Sequence, residues 1–454
     1  MTQTDTIKTN GEVGRVIGLG TATGIVVANM IGSGIFVTLG IMAGKLPSPC
    51  WVLFCWFFGG IISLVGALCY GELGTRMPEE GGEYYYLKEL YSRVLGFLSG
   101  WTSFIVGFSA PIAGSAIGFS EYLFAGLNLD TTVMNPAMFL ILKKSVAVAI
   151  ILLFTWLHFM GVRTGGGIQN VLTAAKVILI LGMSLVGLVI GRGSWMHLSQ
   201  SSGGFEEFAF GTAMMLVMFA YSGWNATGYI AGEIKNPKRT LPLSLVIGTG
   251  IVIVVYLALN LFVIRYLPFA EVQDSAAVIE KASVSTFGGW MGNMLGVIIA
   301  LALLSSLSAF IMIGPRIYYA MARDGLFFRF AGRLHPRYRV PGCSIMIQGG
   351  LAVVMVIFSS IEQIIVYLIY ALNIFPWLAV LGLFIARKRR IGEETAVKMW
   401  GYPVLPVFFL LSMLILAVIA YINRPVESTA AVVTVLLGIP CYYLWMRGKS
   451  WRDL

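Results

Sequence analysis

The sequence predicts an all-α integral membrane protein with twelve transmembrane helices, and three observations point there. Hydrophobic residues make up 58% of the 454-residue chain and charged residues 11%, against about 25% charged in a soluble domain. Apolar runs recur between polar breaks, most of them near the roughly 20 residues that span a bilayer core. Lysine and arginine fall unevenly between alternate loops. A soluble fold of this size cannot hide so much apolar surface, because its own surface needs polar cover. Soluble enzymes, disordered chains, disulfide scaffolds and nucleic-acid modules are therefore excluded. The polar Met1–Asn10 is not followed by a short apolar stretch with a cleavage site, so no removable signal peptide is expected.

Taken in order, the spans are expected at about 16–43, 50–75, 95–127, 144–160, 168–191, 207–231, 243–267, 287–320, 343–359, 362–386, 402–421 and 429–446. Twelve spans put both termini on one side. The loops on that side hold 23 of the 31 Lys and Arg residues, Arg76, Arg316 and Arg387 among them. The positive-inside rule makes that side cytoplasmic. The net charge of +10 then reports topology. The runs Arg387–Arg390 and Arg329–Arg339 read as anchors near anionic lipid, since no loop is long enough to be a nucleic-acid-binding domain. The five cysteines form no CxxC pair, and Cys50, Cys55 and Cys69 read as small core residues. Neither metal nor cofactor is expected.

Function is concentrated where spans break. The first reads Asn29-Met30-Ile31-Gly32-Ser33-Gly34-Ile35-Phe36. Two glycines flank a serine near mid-membrane, and each weakens the helix by about 1 kcal/mol. Unwound backbone at that depth is tolerated where it lines a cavity or is buried in protein. It presents N–H groups at a half-helix N-terminus, a site for a carboxylate. Close packing through small residues is the alternative reading. The sixth span is interrupted at Phe219-Ala220-Tyr221-Ser222-Gly223-Trp224-Asn225. Breaks in the first and sixth spans suit a transporter of two inverted five-helix repeats. The division expected is a segment at 1–13, repeats at 14–191 and 206–386, two added helices within 401–446 and a tail at 447–454.

Lys176 lies inside the fifth span, and a lysine at membrane depth costs about 2.5–3.5 kcal/mol on insertion scales. It either snorkels to the interface or bridges unwound carbonyls of the first span, standing in for a cation or titrating. His158 reads as a boundary residue of the fourth span and Glu72 as the inner end of the second.

These residues resemble the amino acid–polyamine–organocation (APC) superfamily over nearly the whole chain. The likeness rests on Ile31-Gly32-Ser33-Gly34-Ile35-Phe36, Pro78-Glu79-Glu80-Gly81-Gly82-Glu83-Tyr84, Phe219–Asn225, Gly232–Pro242, Arg316–Gly325 and Trp400–Val404. The tryptophan-containing sixth helix and Lys176 are similar to the L-type amino acid transporter branch and its bacterial relatives. The resemblance implies a leucine-transporter-like fold with alternating access. It implies that Gly32, Ser33, Gly34 and Ile35 receive the substrate carboxylate. Carbonyls of Met30, Phe219 and Ser222 receive the α-ammonium, with Ile31 and Ala220 in the same two segments. Phe219 gates the occluded site, Asn225 supports the break or touches substrate, and Lys176 takes the place of a sodium ion. The expected substrate is a small or medium neutral L-amino acid, because no acid is expected at mid-pocket. Proton coupling or exchange are both open, as is an accessory subunit. The runner-up is a permease or antiporter for cationic amino acids or amines. An embedded enzyme would need converging acids, histidines or metal ligands, and a non-transporting receptor would have no use for paired breaks.

Overall fold

A computed structural model describes residues 14–127, 135–190, 193–201, 204, 206–273, 275, 278–358, 373–423 and 425–447. The expected segment 1–13, the tail 447–454 beyond Arg447, and the start of the tenth span lie outside the described residues. Among the described residues every named element is helical; pairing of extended backbone is limited to two isolated bridges, Ile17 with Ile234 and Glu80 with Ile230.

The first span is divided into α1 (Leu19–Met30) and α2 (Gly34–Ala43). The second is α3 (Pro49–Arg76), opened by a proline at its first turn where no N–H is required. A short helix α4 (Glu83–Leu90) follows. The third span runs as α5 (Arg93–Thr102), a π-helical turn at Ser103–Phe108, and α6 (Ser109–Gly126). Next come α7 (Pro136–Phe159), α8 (Val162–Ile190) and α9 (Glu207–Ala220). The chain continues with α10 (Pro237–Tyr266), short α11 (Phe269–Val272) and α12 (Val278–Phe287), and α13 (Trp290–Arg323). It closes with α14 (Gly342–Phe358), α15 (Ile374–Lys388), α16 (Val404–Asn423) and α17 (Pro425–Arg447). Among the described residues eight helical stretches, the continuous Arg93–Gly126 counted as one, are long and apolar enough to cross a membrane, and α1, α9 and α14 are shorter apolar helices.

The strongest packing joins α6 to α13 and α3 to α10. These pair the third span with the eighth and the second with the seventh. Large apolar side chains such as Leu152, Ile178, Val189 and Leu437 face outward, the surface that lipid covers in a helical membrane protein.

Three charged residues counted as loop cations are engaged by carboxylates of the protein itself. Arg316 is buried within α13 and its guanidinium binds Glu233 at 2.7 Å. Arg76 and Arg387 both bind Glu72, at 2.8 and 2.6 Å. Glu72 also accepts the Met399 N–H at 2.8 Å, so one carboxylate ties α3 to α15 and to the loop before α16. Arg387 further stacks over Tyr402. Charge pairing therefore places these arginines as much as lipid does. His158 lies in the last turn of α7, at the expected boundary, but it is buried there, with Nε2 2.9 Å from the Ser308 hydroxyl on α13. Cys55 and Cys69 are buried as expected, but Cys50 is exposed. Removing the arginine of the Arg316–Glu233 pair strands a buried carboxylate, so Arg316→Met is expected to lower stability by about 3–5 kcal/mol. Thermal unfolding in detergent checks this; an unchanged midpoint would contradict the role assigned to the pair.

Candidate functional site

The first span loses its helix for three residues, Ile31, Gly32 and Ser33, between α1 and α2. The second break begins where α9 ends at Ala220, and a turn carries the chain to two short 3₁₀ turns, Ala226–Tyr229 and Ala231–Glu233. This segment does not resume as an α-helix. Gly223 stands at its centre with φ +99°, a conformation that glycine alone adopts freely. The two breaks touch: a Cβ on Gly34 would lie 2.9 Å from the Ala220 Cα, and one on Gly223 would lie 2.9 Å from the Asn29 Cβ.

Between them is a cavity of about 140 Å³. Met30, Gly32, Ser33, Gly34, Phe219, Ala220, Ser222 and Asn225 line it. Ile31 and Ile35 do not; their side chains are buried in the apolar core, and Ile31 acts through its carbonyl. Among the described residues the N–H groups of Ser33, Gly34 and Ile35 have no backbone acceptor, whereas Gly32 donates back to the Met30 carbonyl at 3.0 Å. Three N–H groups at the start of α2 are thus left without backbone acceptors, an arrangement that can take an anion. The Met30 carbonyl also accepts the Tyr256 hydroxyl at 2.7 Å, and that hydroxyl lies 2.9 Å from the Ala220 carbonyl. Tyr256 on α10 therefore clasps both breaks. The Phe219 carbonyl accepts the Ser222 N–H at 3.0 Å.

Lys176 is buried with its ammonium on the first break. Nζ donates to the Ile31 carbonyl at 2.6 Å, the Ala28 carbonyl at 3.3 Å and the Ser306 hydroxyl at 2.9 Å. Ser306 in turn donates to the Ile31 carbonyl at 2.7 Å. This geometry excludes snorkelling. Lys176 Nζ gathers carbonyls that α1 leaves unpaired at its C-terminus, the end that favours a cation.

Two contributors to the cavity, and the Tyr256 clasp that joins its two breaks, are not apparent from the sequence. The π-helical turn of the third span brings Ser103, Gly107 and Phe108 to the wall; such single-turn widenings often accompany functional sites. Tyr256 is hidden in an apolar run. Glu83, within the quoted Gly81-Gly82-Glu83 motif, also lines the cavity, so the expectation of no acid at mid-pocket is corrected to one acid on the cavity wall among the described residues.

A family description for amino acid permeases matches residues 17–443, nearly the whole chain. The chain belongs to the amino acid permease family. The permease is 29% identical over 437 residues to the serine/threonine exchanger SteT of Bacillus subtilis, covering 96% of this chain and 97% of that one. It is 29% identical over 446 residues to the human b(0,+)-type amino acid transporter 1, covering 95% and 88%. It is 28% identical over 446 residues to the mouse large neutral amino acids transporter small subunit 2, covering 96% and 81%. The permease is thus an APC-superfamily amino acid transporter, a multi-pass membrane protein and not an enzyme, with the twelve-helix leucine-transporter-like fold and its five-plus-five inverted repeat.

Proposed function

We propose that this permease is a sodium-independent secondary active transporter that moves small or medium neutral L-amino acids by alternating access. The supporting observation is the meeting of both breaks at one cavity. There, free N–H groups at Ser33, Gly34 and Ile35 suit a carboxylate, while carbonyls at Met30, Phe219 and Ser222 lie on the same walls for an α-ammonium. Backbone groups recognise the zwitterion shared by all amino acids, which leaves side-chain choice to the rest of the cavity. Phe219 acts as the gate over bound substrate. The Lys176 ammonium occupies the carbonyl cluster where a sodium ion would otherwise bind, and sodium independence follows. The repeats run over about 14–191 and 206–386, and both termini face the cytoplasm. The relative named as a serine/threonine exchanger favours exchange of small polar or neutral substrates.

Glu83 on the cavity wall favours a second reading, a cationic amino acid or amine as substrate. Its carboxylate is already occupied by three neutral donors, described below, and this keeps the neutral reading ahead. Counterflow into liposomes decides. Label should be displaced by alanine, serine or leucine and not by arginine or putrescine, at equal rates in sodium and choline buffers. Displacement by arginine or putrescine alone would select the second reading, and a sodium requirement would sink the role given to Lys176.

A further inference from the structure

Glu83 is a buried carboxyl with an unusual set of partners. Gly81 and Gly82, at φ +105° and +51°, reverse the chain after α3, and Gly82 passes so close to Tyr229 that a Cβ there would lie 2.5 Å from its ring. This tight passage sets Glu83, the first residue of α4, against the segment that follows the second break. Its Oε1 accepts the Tyr70 hydroxyl from α3 at 2.8 Å and the Asn225 amide at 2.5 Å. The Tyr229 hydroxyl also hydrogen-bonds it, and Asn225 donates to that hydroxyl at 3.1 Å. Glu83 is 4% exposed and still forms part of the cavity wall.

No lysine, arginine or histidine is paired with it among the described residues. The surrounding charges are engaged elsewhere. On α4 and α13, Lys88 and Tyr84 both bind Asp324, and Arg323 lies over Tyr319. Arg316 takes Glu233, and Arg76 with Arg387 from α15 takes Glu72. Arg93 on α5 lies toward Tyr84, and Glu80 faces Glu233 and Arg323. The other phenol near Glu83 is Tyr86 on its own helix. A buried carboxylate held only by neutral donors keeps much of its desolvation penalty. Burial pushes the Glu83 carboxyl up to about 7, against the lowering effect of its bonds from Tyr70, Tyr229 and Asn225. It is therefore charged above that pH and neutral below it.

We propose that Glu83 is a proton-binding site on the wall of the substrate cavity, and that its protonation releases the segment after the second break so that transport runs faster in acid. The charged form is acceptor-only and gathers Tyr70, Asn225 and Tyr229 into one clasp between α3, α4 and that segment. The neutral form carries an O–H donor and loses the charge that strengthens each bond. Only an O–H bond forms or breaks, and the proton comes from and returns to water facing the cavity. This inference rests on the transport reading above.

The test is counterflow by the full chain in liposomes between about pH 8.5 and about pH 5.5, a range that brackets a carboxyl raised by burial. Wild-type rate is expected to rise at least about threefold toward acid, with a midpoint near the Glu83 value. Glu83→Gln, which mimics the neutral acid, should be flat at the fast limit. Tyr70→Phe removes one donor to the carboxylate and should move the midpoint to higher pH. A flat wild-type profile, a Glu83→Gln profile like wild type, or an unmoved midpoint in Tyr70→Phe would each overturn the proposal. If Glu83→Gln does not fold, Tyr70→Phe decides alone. Infrared titration reads the site without transport: a protonated-carboxyl band that grows toward acid in wild type should be missing in Glu83→Gln. If no amino acid moves at any pH, the transport reading fails, while the infrared band still tests Glu83.

Discussion

Gly223→Ala is expected to abolish transport and to destabilise the protein by at least about 2 kcal/mol, for two additive reasons. The residue sits at φ +99°, where a side chain is strained whatever space it has. Its new Cβ would also meet the Asn29 Cβ at 2.9 Å and the Asn29 backbone carbon and oxygen at 3.0 Å. Backbone atoms of the opposing helix cannot swing aside as the tip of a long side chain can. Relief therefore requires α1 to move away from the second break, which pulls apart the two walls of the cavity. Loss should appear in both the thermal midpoint and substrate-induced stabilisation. Gly32→Ala is the matched control for folding, because a Cβ there meets nothing within 4 Å. Equal unfolding midpoints for the two variants would refute the steric argument.

Lys176→Ala is the second large effect. The wild-type ammonium satisfies the Ile31 and Ala28 carbonyls and the Ser306 hydroxyl in one place. Truncation leaves buried acceptors and a void; an unsatisfied buried polar group costs about 1–3 kcal/mol. Ser306 keeps its bond to Ile31, so the break is weakened rather than released completely. Uptake is expected to fall below about a tenth of wild type, which corresponds to roughly 1.4 kcal/mol at the limiting step. Lys176→Met keeps most of the volume and lacks the charge, so it separates packing from electrostatics. Recovery of wild-type uptake in Lys176→Met would show that the ammonium is dispensable and remove its assigned role.

The clearest sequence signals were those that violate local helix physics. A glycine pair around Ser33 and a cluster of small residues around Gly223 sit in apolar runs that otherwise favour uninterrupted helices. Lys176 stands out for the same reason, as a charge that an apolar run does not tolerate without a partner. Glu83 had no such signal. It follows a Gly-Gly pair in a polar loop, and loop acids are usually solvated. Only the backbone reversal at Gly81 and Gly82 turns it toward Asn225. Tyr256 and the π-helical turn were masked in the opposite way, since an aromatic residue and a serine inside apolar helices look like ordinary filling.

Arg316, Arg387 and His158 show the limit of reading charge by position. Distance from the end of an apolar run predicts where a cation meets lipid headgroups, but it says nothing about a carboxylate or hydroxyl arriving from another helix. Glu233, Glu72 and Ser308 lie 83, 315 and 150 residues from Arg316, Arg387 and His158 respectively.

The sequence alone determined that the chain lives in a membrane and that its first and sixth spans break, because hydropathy and helix propensity act through neighbours in the chain. The tertiary structure decided which N–H groups stay free, which carbonyls Lys176 holds, and that an acid reaches the cavity. Those outcomes depend on burial and hydrogen-bond partners contributed by distant segments, which only the packed helices bring together.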